Sequence, residues 1–131
     1  SPADYREYVL PWSRRLVASV PAGVPVIHFG LGTGLFLDSV RDAGGAVVGV
    51  DHRTDLAAAW DALGDVAVQG NLDPAVLLAG RDAVVAKARA VVEAAGGRKG
   101  HIFNLGHGIL KETPVDNVVA LVDAVHSMTR R

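Results

Sequence analysis

The sequence contains no cysteine. Disulfide staples, thiol nucleophiles and thiolate metal sites are therefore excluded, and the composition fits a reducing compartment. No run of about eighteen apolar residues occurs, so no transmembrane helix is expected. Charge of one sign is missing as well: 13 Lys and Arg oppose 14 Asp and Glu, for a formal net charge of −1. No global basic field is present to recruit nucleic acid, and no acidic tail. His28, His52, His101, His107 and His126 are scattered, with no H-E-x-x-H pair that would announce a metal site. The serines are few and none lies in a nucleophile elbow. Paired carboxylates for acid–base work are also lacking, because Asp51 and Asp73 read more simply as a strand-end acid and a helix cap. The opening Ser1-Pro2-Ala3-Asp4 has no initiator Met, basic n-region or signal-peptide core, and reads as a piece of something longer or a processed form.

What is present is a globular composition. The 131 residues are 50% hydrophobic and 21% charged, enough for one domain with a real core. Residues 2–20 predict a helix with Tyr5, Tyr8, Val9, Trp12, Leu16 and Val20 on one apolar face, kinked at Pro11. Four strand–helix units follow. The strands are expected at 24–29, 46–50, 66–70 and from His101. The intervening helices span about 35–43, with Leu35, Phe36 and Val40 inward, then 54 or 55 to 63, 74–78 and 82–95. Gly44-Gly45 and Gly96-Gly97 suit left-handed helix ends, and Asn71-Leu72-Asp73-Pro74 suits a turn. Thr113-Pro114 opens the last helix, with Asp116 as a capping-box acid and Val118, Leu121, Val122 and Val125 as its buried stripe. Short strands separated by helices call for parallel pairing. Four such units make half of an eight-unit barrel or most of a small doubly wound sheet.

Parallel pairing puts four strand ends on one rim: His28 with the glycine loop at 30–34, then Asp51-His52-Arg53, the segment 69–73, and Asn104 to Gly108. Gly30-x-Gly32-x-Gly34 follows a strand, and Asp51 ends the next strand about twenty residues later, which resembles a dinucleotide or adenosylmethionine pocket. The sixth position is Leu35, however, where that fingerprint has glycine. The methyltransferase pattern also puts an acid where this chain has His28. On the last strand, Gly106-His107-Gly108 leaves an imidazole between two glycines, a loop residue or a site residue by spacing alone. His28 is expected at the mouth or as a satisfied core histidine, His126 on the surface, and Arg98-Lys99-Gly100 in a solvated loop.

Val68-Gln69-Gly70-Asn71-Leu72-Asp73-Pro74 followed by Asn104-Leu105-Gly106-His107-Gly108 resembles the C-terminal half of the uroporphyrinogen decarboxylase family. Asp4-Tyr5-Arg6-Glu7-Tyr8, Pro25-Val26-Ile27-His28-Phe29-Gly30 and Val48-Gly49-Val50-Asp51 resemble the same family in the same order, so the likeness covers essentially the whole chain. It implies an α/β fold, four parallel strand–helix units forming the C-terminal half of a TIM (β/α)8 barrel. It implies a cytoplasmic homodimer, working without cofactor or metal in tetrapyrrole and haem biosynthesis. The implied reaction removes four acetate carboxylates from uroporphyrinogen III to give coproporphyrinogen III. By match to the family motif, His107 is the residue that would reach substrate. The family's arginine cluster, pyrrole-binding aspartate, active-site tyrosine and serine loop would precede Ser1. The resemblance therefore implies an isolated chain that is inactive and, with a half-barrel's bare edges, prone to self-association. Zinc-using methyltransferase relatives carry His-x-Cys where this chain has His28-Phe29-Gly30, which favours the decarboxylase branch.

Overall fold

The computed structural model describes residues 1–130. The chain starts in a helical arm, α1 (Pro2–Asp4), a π-helical stretch (Tyr5–Val9) and α2 (Leu10–Ala18). Ser1 caps it reciprocally with Asp4. The π-turn lies immediately before Pro11, which has no N–H to donate and whose ring crowds the preceding turn. There Leu10 N–H bonds Tyr5 O, five residues back. This inserted residue rotates the buried face. Leu10 is buried and Tyr5 packs on Phe36 at 4.9 Å, whereas Tyr8, Val9, Trp12 and Leu16 are exposed. The expected stripe does not run down one inward face.

Four strand–helix units follow, with β1 (Ile27–Phe29), α3 (Leu37–Asp42), β2 (Val47–Gly49), α4 (Leu56–Leu63), β3 (Ala67–Leu72), α5 (Arg81–Ala94), β4 (His101–Leu105) and α6 (Val115–Thr129). All pairings are parallel, in the spatial order β1-β2-β3-β4. The order never reverses, as it would in a doubly wound sheet, so successive right-handed crossovers carry the helices to one face. On that face His28, Val48, Val68 and His101 lie in one row of the register.

Two apolar clusters hold the helices down. Val40, Val48, Val50, Leu56, Trp60, Leu63 and Val68 form one, and Leu72, Leu77, Val84, Ala88 and Leu121 the other. Each fully buried aliphatic side chain contributes about 1.5–3 kcal/mol by leaving water. The opposite sheet face is bare at Ile27, Phe29 and Ile102, which remain 40–45% exposed.

Several boundaries differ from the sequence reading. The helix expected from Leu35 begins as a tight turn (Gly34–Phe36), and Leu35 points into solvent while Leu37 takes its place in the core. Asp55, one of the two expected caps, accepts from Ala58 N–H at 2.8 Å. β3 runs through Asn71 and Leu72, which were expected in a turn, because both pair in register with Asn104 and Leu105. The capping box of α6 does not form: Pro114 holds the cap position without a side-chain bond, and the Thr113 hydroxyl is buried without a partner. Val122 of the expected stripe is exposed.

Candidate functional site

Parallel pairing delivers the strand ends to one rim, and Asp51 ties three of its segments together. Burial pushes the Asp51 carboxyl up. Hydrogen bonds from Gly32 N–H, the Thr54 hydroxyl and Arg53 N–H, together with the field of His52, outweigh it and hold the group below its ordinary value. The distances are 2.6 Å from Gly32 N, 2.9 Å from Thr54 Oγ1 and 3.0 Å from Arg53 N. Both carboxylate oxygens are thus engaged with the protein's own backbone and hydroxyl. This tells against the alternative reading in which Asp51 and the 30–34 loop open onto a ribose, because the acid binds the glycine loop itself. Thr33 adds a bond to Gly30 O at 2.8 Å and is buried.

Asn71, buried at the end of β3, braces the same corner from the other side. Its Nδ2 donates to Asp51 O at 2.8 Å and Thr54 O at 2.7 Å. The backbone from 51 to 54 is therefore fixed by a carboxylate on one side and an amide on the other. Sequence reading assigned Asn71 to a turn and gave it no role. Its signal was an amide side chain just past an apolar strand, which patterning cannot distinguish from a turn residue.

His107 lies on the turn leaving β4 and is exposed. Gly106 N–H donates to Leu72 O at 2.8 Å, which prolongs the β3–β4 ladder by one bond before the chain turns. Gly106 has no room for a side chain, because a Cβ would lie 2.7 Å from His52 Cα and 2.8 Å from Asp51 C. The ring of His107 meets that of His52 edge to face, with centroids 6.3 Å apart and planes at 79°. Asp51, His52, Asn71 and His107 are thus brought together.

The other candidates lie elsewhere. His28 faces the helices, and its Nδ1 lies 3.1 Å from Val40 O, so it is the satisfied core histidine. His101 Nε2 bonds Gly70 O at 2.8 Å, with its ring beside Trp60. His126 is exposed on α6. Arg98, from the basic loop, pairs with Asp61 at 2.8 Å and lies over the Trp60 ring. Among the described residues no three metal-ligating side chains converge, and no helix is long and apolar enough to cross a membrane. A cleft of about 310 Å³ opens between β4 and α6, lined in part by Phe103, Leu105, Ile109, Val118 and Val122, and His107 does not line it.

Comparison with known proteins covers the whole of this arrangement. The profile of uroporphyrinogen decarboxylase (URO-D) matches residues 1–128. The uroporphyrinogen decarboxylase of Sorangium cellulosum is 60% identical over 129 residues, which cover 97% of this chain and 37% of that protein. That of Streptomyces coelicolor is 54% identical over 133 residues, covering 100% and 38%. A Thermus thermophilus enzyme of the same name is 52% identical over 129 residues, covering 98% and 38%. This chain therefore spans well under half the length of these relatives. A solved methyltransferase from Methanosarcina mazei superposes with a TM-score of 0.85 over 99% of this chain and 38% of its own, at 22% identity, a likeness of fold. The match of sequence along essentially the entire chain, with the rim motifs inside it, makes this chain a member of the uroporphyrinogen decarboxylase family.

Proposed function

We propose that this chain forms one half of a barrel of eight strand–helix units, and that the whole protein converts uroporphyrinogen III to coproporphyrinogen III. The observation that carries the reading is the family match across residues 1–128, which includes the rim turn bearing His107. The unreversed parallel order and the bare sheet face support the half-barrel. Cytoplasmic location, homodimeric assembly and independence of cofactors belong to the same proposal.

The chemistry needs an electron sink. Protonation at a pyrrole carbon makes the ring cationic; the bond between the acetate methylene and its carboxylate then breaks, and its electron pair flows into the ring. Carbon dioxide leaves, the methylene carbon takes a proton, and loss of the ring proton restores the pyrrole. The balance for each acetate is one proton consumed and one carbon dioxide released. Such a site requires cationic or hydrogen-bonding groups on the substrate carboxylates and an acid near the ring. His107 is exposed on the rim and supplies a hydrogen-bond donor or a proton at either place. The isolated chain supplies too few such groups and is inactive.

The test is anaerobic turnover of uroporphyrinogen III by the full-length polypeptide that carries this chain, with products separated after oxidation to porphyrins. Coproporphyrin is expected from the wild type, and His107→Ala is expected to lower kcat/KM by about a hundredfold. Failure of the full-length protein to make coproporphyrin, or clean turnover by the 131-residue chain alone, would overturn the reading.

A further inference from the structure

His52 touches the turn that carries His107 in three ways. Its backbone lies directly under Gly106, where even one methyl group has no space. Its Nδ1 lies 3.4 Å from Gly106 O. Its ring meets the His107 ring at 6.3 Å, edge to face. The footing beneath His52 is rigid, because Asn71 and the Asp51 carboxylate hold the backbone on either side of it.

Apart from this seat, the start of the turn is tied by Gly106 N–H to Leu72 O at 2.8 Å, and its tip is held less. His107 lies between two glycines and, among the described residues, its side chain bonds its neighbour alone, with Nδ1 3.1 Å from Gly108 O. Gly106 is pinned, but Gly108 has open space around it and leaves the far side of the turn unbraced, so the His107 ring depends on what lies against it. A carbonyl oxygen can only accept. Each Nδ1 that faces one therefore carries the proton, in His52 and in His107 alike. Both Nε2 atoms are then left free of these contacts.

We propose that His52 is a positioning residue. It seats the Gly106 turn and, by packing against the His107 ring, keeps that ring's Nδ1–H on Gly108 O and its Nε2 turned toward the ligand, a carboxylate-bearing molecule. The ligand part rests on the reading of His107 as a substrate-facing residue; the seating of the turn does not. A carboxylate accepts only, so it pairs with Nε2 when that nitrogen takes up a second proton, and the contact is then a charge-assisted hydrogen bond. Misplacing such a group by an ångström weakens it sharply.

The experiment uses the full-length polypeptide and three variants. His52→Ala removes ring and donor. His52→Asn keeps a donor near the place of Nδ1. His52→Phe keeps a ring edge without the donor. In ¹⁵N-labelled protein the two ring nitrogens of His107 are expected to show the Nδ1–H pattern in the wild type. His52→Ala is expected to average them towards a mixture, His52→Asn to restore much of the pattern, and His52→Phe to lose the turn's donor as His52→Ala does. Gly106→Ala, which forces the turn off its seat, is expected to match His52→Ala. Steady-state assays are expected to show a roughly tenfold fall in kcat/KM for His52→Ala, mostly through KM, with recovery in His52→Asn. Unchanged His107 nitrogens in both His52→Ala and His52→Phe, or an Asn variant no better than Ala, would overturn the proposal. A wild-type protein with no decarboxylase activity would sink the functional reading while the nitrogen spectra still judged the contact.

Discussion

Asp51 shows what a single side chain contributes at this rim. The acid is enclosed, and three donors together with the field of His52 outweigh its burial and hold its pKa below the ordinary carboxylate value. Its pKa in the folded chain lies below the unfolded value of about 3.9. The linked stability is therefore fully present above that value and drains away as pH falls through the folded pKa. Asp51→Asn keeps the shape but turns an amide N–H towards donors, costing about 2–3 kcal/mol at neutral pH. Thermal midpoints followed from pH 7 to pH 2 are expected to fall more steeply below about pH 4 in the wild type than in the variant, so that the two curves converge in acid. Parallel curves would show that Asp51 does not titrate with folding. The residue was conspicuous in the sequence, but its role was not. A strand-end acid near a glycine loop has the same spacing whether it binds a ligand or binds the loop, and only the direction of Gly32 N–H separates the two. The position of His107, on the turn that leaves β4, was legible from the strand and the glycines beside it. His52 was visible only as one of a charged triplet, because its partner lies 54 positions along the chain.

At the scale of elements, every helix and strand was legible in kind, since apolar strands and Gly or Asp-Pro punctuation mark them plainly. Phase was harder. The period that joined Tyr5, Tyr8, Trp12 and Leu16 assumed about 3.6 residues per turn throughout, and the π-turn ahead of Pro11 adds one residue. Tyr5 and Leu10 then share the inner side while Trp12 turns outward, 64% exposed beneath Arg15. Proline gave notice of a disturbance without saying that the helix would widen rather than break. The two tryptophans make this measurable. Trp60 is 4% exposed and donates from Nε1 to Val66 O at 2.9 Å. With Trp60→Phe, the remaining emission from Trp12 in dilute chain is expected to be red-shifted and quenched by acrylamide nearly as readily as free indole. With Trp12→Phe, the remaining emission from Trp60 is expected to be blue-shifted and protected. Protection of Trp12 at low concentration would restore the inward stripe.

For the whole molecule the governing fact is that strand order follows chain order without a reversal. Helices then cover one face only, β1 and β4 each present an unpaired edge, and the face between them carries Ile27, Phe29 and Ile102 half in water. Unpaired parallel edges beside apolar surface associate unless something covers them. In the isolated chain the partner that matches both edges is a second copy. A twofold axis along the barrel sets β4 of each copy against β1 of the other, keeps every strand parallel, and brings both His107 turns to one rim. Light scattering is expected to show mass rising with concentration towards twice 13.6 kDa. Phe29→Ser with Ile102→Ser is expected to hold the chain at monomer mass, whereas Leu35→Ser, on the exposed loop side, is expected to leave association intact. The absence of cysteine makes the geometry accessible too, since any thiol introduced is the only one. Mixing Ile27→Cys chains with Ile102→Cys chains and adding a short bismaleimide is expected to link β1 of one copy to β4 of the other in preference to either like pair. A monomer at every concentration, or linkage of like edges only, would mean that the bare face closes in some other way.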